Sequence, residues 1–132
     1  MVKTTTQLGK LEIAILECLW RGGENDAQSL HHYLQGQRRV SLSTVQSTLE
    51  RLFRKGLVNR QKISHAYRYQ ARLQRRELLG SMINDVVRQL GGGQLEPILS
   101  SFVDYAEQID ETSLNQLEEL VAQRRRQQEE QD

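Results

Sequence analysis

The sequence predicts a mainly α fold, three helices closed by a two-stranded hairpin and followed by a further run of helices. Three observations carry this: apolar residues recurring at helical spacing between glycine stops, one short stretch of β-formers after the third helix, and a chain whose charge divides in two. The first helix is read from Leu8 to Trp20, with Leu8, Leu11, Ile15, Leu16 and Leu19 on one face, Thr5 or Thr6 as cap and Gly22-Gly23 as stop. Asp26 caps a second, shorter helix whose inward face is Ala27, Leu30, Tyr33 and Leu34, and Gly36 ends it. A linker carries Arg38 and Arg39. Ser41 then caps a third helix that runs to about Lys55, where Gly56 turns the chain.

Leu57 to Ile63 and Ala66 to Gln70 read as two strands joined at Ser64-His65, the second alternating Tyr67 and Tyr69 with polar residues. Three helices and a basic hairpin make a winged helix-turn-helix, assigned to residues 1–72. A fourth helix carries the stripe Leu78, Leu79, Met82, Ile83, Val86, Val87 and Leu90, and Gly91-Gly92-Gly93 breaks it. A fifth has Pro97 in its first turn and Leu95, Ile98, Leu99, Phe102, Val103 and Ala106 on one face. A sixth opens with a capping box, Ser113 to Gln116, and gives way at Arg124 to a polar, frayed tail over 124–132. Residues 73–123 are too few and too poor in aromatics to form a core alone, so a second copy is expected to complete it. The residues assigned to that homodimer contact are Leu79, Ile83, Val86, Leu90, Ile98, Leu99, Phe102, Leu117 and Leu120.

The net charge of +1 conceals the division. Residues 1–79 hold 14 Lys or Arg against 6 acids, a net of +8, and residues 80–132 hold 4 against 11, a net of −7. Between Gly36 and Arg76 there are 11 basic residues and a single acid, Glu50. Such a concentration suits a polyanion.

On the third helix Val45, Leu49 and Leu52, with Phe53 beside them, form the core side. Thr44, Ser47, Thr48 and Arg51 recur on the opposite side, flanked by Ser43 and Gln46. Small hydroxyls, an amide and an arginine fit a major groove, where Gln pairs with adenine and Ser or Thr approaches base edges. Arg38, Arg39, Arg51, Arg54, Arg60, Lys62 and Arg68 are assigned to phosphates, contacts that position a protein without reading sequence. The partner expected is double-stranded operator DNA.

Other classes find little support. His31-His32 point about 100° apart on a helix and have no ligand companions at metal spacing, so no metal or cofactor is expected. The glycine triplet lacks the Lys-Ser/Thr of a phosphate loop, and no catalytic motif is present, so the chain is not read as an enzyme. Cys18 is the only cysteine and sits among apolar residues, which suits a structural thiol. With no apolar run long enough for a membrane span and no signal-peptide core, a soluble cytoplasmic protein without membrane insertion is expected. The competing functions are a winged-helix module that binds another protein, and a heme- or redox-sensing regulator using Cys18 or a histidine.

Leu11 to Trp20, Ser43-Thr44-Val45, Leu49 to Leu52, Lys55 to Val58 and Tyr67-Arg68-Tyr69 together resemble the BlaI/MecI-type penicillinase repressors. The resemblance implies a homodimeric transcriptional repressor on a palindromic operator, with Ser43, Thr44, Gln46 and Ser47 at base-contacting positions. It also implies a membrane sensor protease as partner and cleavage at Ser101-Phe102, where the family commonly has Asn at the position of Ser101. The cysteine cluster of copper-responsive relatives is absent, and the hairpin lacks the glycine common between Lys62 and Tyr67.

Overall fold

The computed structural model describes residues 7–90 and 92–131. Its elements, in order, are α1 (Lys10–Gly22), β1 (Asn25–Asp26), α2 (Ala27–Gln35), α3 (Leu42–Arg54), β2 (Val58–Ile63), β3 (Ala66–Ala71), α4 (Arg75–Leu90), α5 (Leu95–Ile109) and α6 (Ser113–Gln131). They form two compact units divided within α4, between Asp85 and Val86. The fold is the mainly α winged helix-turn-helix that the sequence predicts.

The first unit is organised around one apolar cluster. Ile15, Leu16 and Leu19 of α1, Leu30 and Leu34 of α2, Val45, Leu49 and Leu52 of α3, and Leu57, Val58, Tyr69 and Leu78 are all buried. Each such aliphatic side chain contributes about 1.5–3 kcal/mol. Tyr33 departs from the expected inward face of α2: it is 63% exposed, and only Leu30 and Leu34 of that helix are fully buried. Its ring meets the His32 ring edge-on, with centroids 6.3 Å apart, and leaves its hydroxyl in water.

Antiparallel β2 and β3 form the wing, with Arg60 opposite Tyr69 and Lys62 opposite Tyr67. The turn that lacks glycine is made by Ser64 at φ 59°, a left-handed conformation that costs a non-glycine residue about 1 kcal/mol. The strand β1, absent from the sequence reading, adds two residues to the outer side of β3 and makes the sheet order β1-β3-β2.

Helix α1 begins later than expected. Its N-cap is Gly9, whose N–H donates to the Glu12 carboxylate at 3.0 Å; Thr5 and Thr6 lie outside the described residues. Lys55 Nζ also reaches Glu12 Oε2, at 2.6 Å, and so ties the start of α1 to the end of α3. Burial pushes the Glu12 carboxyl up, but Lys55, the Gly9 N–H and the charge of Arg51 outweigh it and hold the group below the ordinary range. At the other end of α1, Trp20 Nε1 donates to the Leu73 carbonyl at 2.8 Å, and the Arg75 guanidinium lies 4.7 Å from the indole centroid while pairing with Glu17. These contacts anchor the first turn of α4.

In the second unit α5 packs on α6, yet neither helix contains a buried residue. The capping box expected at Ser113 is not formed. The Asp110 carboxylate instead accepts from the Thr112 N–H at 2.8 Å, the Thr112 hydroxyl at 2.7 Å and the Ser113 hydroxyl at 3.0 Å, and the Gln116 N–H goes to the Thr112 carbonyl. The acid three residues upstream draws the Ser113 hydroxyl toward itself as a donor, and the helix carbonyl of Thr112 takes the Gln116 N–H that the box would have used. Nor does the helix fray at Arg124: α6 continues through Gln131. Alanine, glutamine, arginine and glutamate favour helix over this stretch, and Glu119 lies near Gln123 and Arg126 along it.

Candidate nucleic-acid interface

Helix α3 is fixed at both ends by local chemistry. Ser41 caps it by accepting from the Thr44 N–H at 3.2 Å. At the far end the Gly56 N–H donates to the Phe53 carbonyl and the Leu57 N–H to the Leu52 carbonyl, both at 3.0 Å, with Gly56 at φ +79°. This paired closure needs a residue free to turn left-handed, and buried Leu52 and Leu57 lock it from beneath.

Between these ends Val45, Thr48, Leu49 and Leu52 face inward at spacings of three and four. Thr48 was expected on the outer face and is fully buried. The 3.6-residue repeat sets it between Val45 and Leu52, and its hydroxyl is satisfied by donating to the Thr44 carbonyl at 2.7 Å, so its burial leaves no polar group unpaired. Arg51 donates to that same hydroxyl oxygen at 3.1 Å. Phe53, which the pattern puts with the core, is instead 37% exposed at the edge of the helix face, and the wing arginine Arg60 covers part of its ring.

Ser43, Thr44, Gln46 and Ser47 are all exposed on the N-terminal half of α3. The Ser41 hydroxyl lies 2.8 Å from that of Thr44 and 3.1 Å from that of Ser43, and the Ser47 hydroxyl donates to the Thr44 carbonyl at 3.1 Å. The hydroxyls are therefore held in defined positions while keeping acceptor lone pairs outward. Gln46 borders a cleft of about 330 Å³ whose other walls include Gln28 at the start of α2 and His65 and Tyr67 of the wing. The sequence reading missed Gln28, His65 and Tyr67 as members of this surface. Only the tertiary packing of α2, α3 and the wing brings them together.

The seven cations assigned to phosphates fall into three groups. Arg38, Arg39 and Lys62 are exposed and have no carboxylate partner among the described residues. Arg54 reaches Glu50 at 3.5 Å on the surface, and Arg51 lies along α3. Arg60 and Arg68 are committed elsewhere. Arg60 pairs with Glu50 and stacks over Phe53 and Tyr67, with centroid distances of 3.9 and 4.4 Å. The hydrogen bond it donates to Glu50 raises the pKa of that guanidinium further, so its charge is permanent and locally neutralised. Arg68 donates to Glu24 at 2.8 Å and holds β3 against the segment before β1. Nothing in the spacing of Glu24 or Glu50 marks them as partners of the wing.

Ahead of α3, His31 Nε2 lies 2.8 Å from the Val40 carbonyl and 3.2 Å from Gln35 Nε2, contacts that steady the residue before the cap. Cys18 is partly buried and packs on the core, and burial pushes its thiol up. That is the reverse of what activates a sensing thiolate. Among the described residues no three His, Cys, Asp or Glu side chains gather as a metal group, and no helix is long and apolar enough to cross a membrane.

A family model described as penicillinase repressor matches residues 8–123. The chain belongs to the penicillinase repressor family. As a member it is a DNA-binding transcriptional repressor and not an enzyme. It is 32% identical over 101 residues to the transcriptional regulator BlaI of Mycobacterium tuberculosis, spanning 75% of this chain and 73% of that protein. An uncharacterised 16.5 kDa protein of Latilactobacillus sakei shares 22% over 121 residues, covering 92% and 82% of the two chains. Among solved structures, the DNA-binding domain of the repressor BlaI superposes with a TM-score of 0.52 at 22% identity, covering 58% of this chain and 93% of that one. RosR of H. salinarum superposes with a TM-score of 0.51 at 20% identity over 90% and 94% of the chains. At those identities the two structures bear on the fold alone.

Proposed function

We propose that the repressor binds a two-fold symmetric operator as a homodimer, each subunit reading base edges with Ser43, Thr44, Gln46 and Ser47. The single observation that carries this is the outer face of α3, where these four short or amide side chains stand exposed, in a unit whose Arg38, Arg39 and Lys62 are exposed as well. Arg51 and Arg54 supply further phosphate contacts. Arg60 and Arg68 act mainly by holding the wing, since their charges already face carboxylates. Residues 1–72 do the binding and residues 73–123 the pairing. The location is cytoplasmic, where such a partner is reached.

Support for the dimer comes from what the second unit leaves exposed: Leu90 is 81% exposed, Leu99 53%, Phe102 43% and Leu120 55%. Leu79, Ile83 and Val86 along α4 are likewise exposed, and Ile98 and Leu117 are half-buried. Apolar helical faces of this kind are stable in water when another copy covers them.

Relief of repression by cleavage at Ser101-Phe102, with a membrane sensor protease as partner, would act on a bond inside α5. The Ser101 hydroxyl donates to the Pro97 carbonyl at 2.7 Å there, so the helix must open locally before a protease can engage it. The test of the reading is fluorescence anisotropy of the full chain on the duplex upstream of its own gene and on scrambled duplex. Preference for the former by about a thousandfold or more supports specific operator binding, and equal affinity for both would refute it.

A further inference from the structure

One face of α1 is unlike the rest of the first unit. Lys10, Ile13, Ala14, Glu17, Cys18 and Arg21 recur at three and four residues, and Gln37 and Arg38 of the connection between α2 and α3 complete a groove of about 390 Å³ with them. That volume is within the range of small-molecule sites. Its floor is apolar: Ile13 is 43% exposed, with Ala14 and Cys18 beside it.

Its rim is cationic. Lys10, Arg21 and Arg38 have no carboxylate partner among the described residues, and the one acid in the groove, Glu17, gives both its oxygens to Arg75. Three cations without an ion-pair partner among the described residues, set around an apolar floor with one nearby acid whose oxygens are both taken by Arg75, favour a ligand that brings one negative charge and an apolar body. A cation gains nothing there, and a neutral body leaves the rim unused.

We propose that this groove binds a small amphipathic anion, a carboxylate or sulfonate on an apolar body, and that its occupant competes with DNA for Arg38. The competition rests on the assignment of Arg38 to phosphate made above, whereas binding in the groove does not. A bound anion would therefore lower affinity for all duplexes alike, acting through the charge and not through base reading.

Cys18, the only cysteine, lines the groove and serves as reporter. The full-length protein is alkylated with iodoacetamide in the presence of naphthalenesulfonate, naphthylmethanol or naphthylmethylammonium. At ten times its Kd the sulfonate is expected to slow modification about tenfold, and the neutral and cationic compounds at equal concentration are not. Shifts of the Ile13, Ala14, Cys18 and Arg21 backbone amides on adding the sulfonate give a second readout that does not depend on thiol reactivity. Combining Lys10→Gln with Arg21→Gln weakens protection about threefold or more. Equal protection by the three compounds, or no protection and no shifts up to about 10 mM, overturns the site, whether or not the DNA assignment holds. Sulfonate that occupies the groove without weakening binding to a short duplex overturns the competition for Arg38.

Discussion

Arg60 of the wing is held by Glu50 of α3, with its guanidinium lying over the Phe53 and Tyr67 rings. The single acid in the basic stretch thus neutralises a wing cation and fixes the angle at which the hairpin leaves α3. Lys62, on the same strand, has no such partner among the described residues. The two basic residues of one strand therefore stand in different surroundings.

The salt dependence of binding separates them. Lys62→Ala is expected to lower the slope of log Kobs against log salt by about 1. Arg60→Ala weakens binding by loosening the wing while leaving that slope nearly unchanged. Glu50→Gln releases the charge on Arg60 and Arg54 and steepens the slope. Equal flattening by Lys62→Ala and Arg60→Ala would contradict the division.

Thr48 lies under the exposed face of α3 and not in it. Thr48→Val preserves shape but removes the hydroxyl that donates to Thr44 and accepts from Arg51. A loss of about 1 kcal/mol in unfolding free energy is expected by urea denaturation, with base preference unchanged. Altered base preference without loss of stability would return Thr48 to the outer face.

Glu12 gives the fold a pH dependence of definite sign. Its folded pKa lies below the ordinary 4.5, so its pairing with Lys55 and Gly9 stabilises the protein above that pH. The stabilisation is lost as pH falls through the lower folded value. Glu12→Gln should cost about 1–3 kcal/mol near neutral pH, and the gap in Tm between variant and native chain should close below about pH 4.5. A gap that does not narrow as pH falls below 4.5 would contradict this.

The second unit answers to its exposed apolar faces. Phe102→Asp with Leu120→Asp is expected to give monomers by sedimentation, and to weaken binding to a duplex carrying two half-sites by about 10²–10⁴-fold. Binding to one half-site should change little. Dimers that survive the double substitution would place the contact elsewhere.

Much of the first unit was readable from local chemistry. Ser41 and Asp26 act as caps because a short oxygen before an apolar repeat has few other uses, and Gly56 marks a turn that a Cβ would strain. What escaped depends on distance along the chain. A strand of two residues, Asn25 and Asp26, has no period to detect and exists only because β3 passes beside it. Thr48 and Phe53 were misplaced because burial at the border of a helix face is decided by neighbours: a carbonyl that satisfies the hydroxyl, and an arginine that occupies the ring. Glu50 and Glu24 could not be paired with Arg60 and Arg68 before the wing was positioned.

The central claim is that the outer face of α3 reads DNA in a symmetric complex, and selection of bound sites from a random duplex pool tests it most directly. The native chain should enrich a two-fold symmetric sequence, and Gln46→Ala should lose preference at a pair of symmetric positions while keeping the rest. A pool that shows no enrichment, or an identical sequence selected by both proteins, would contradict it.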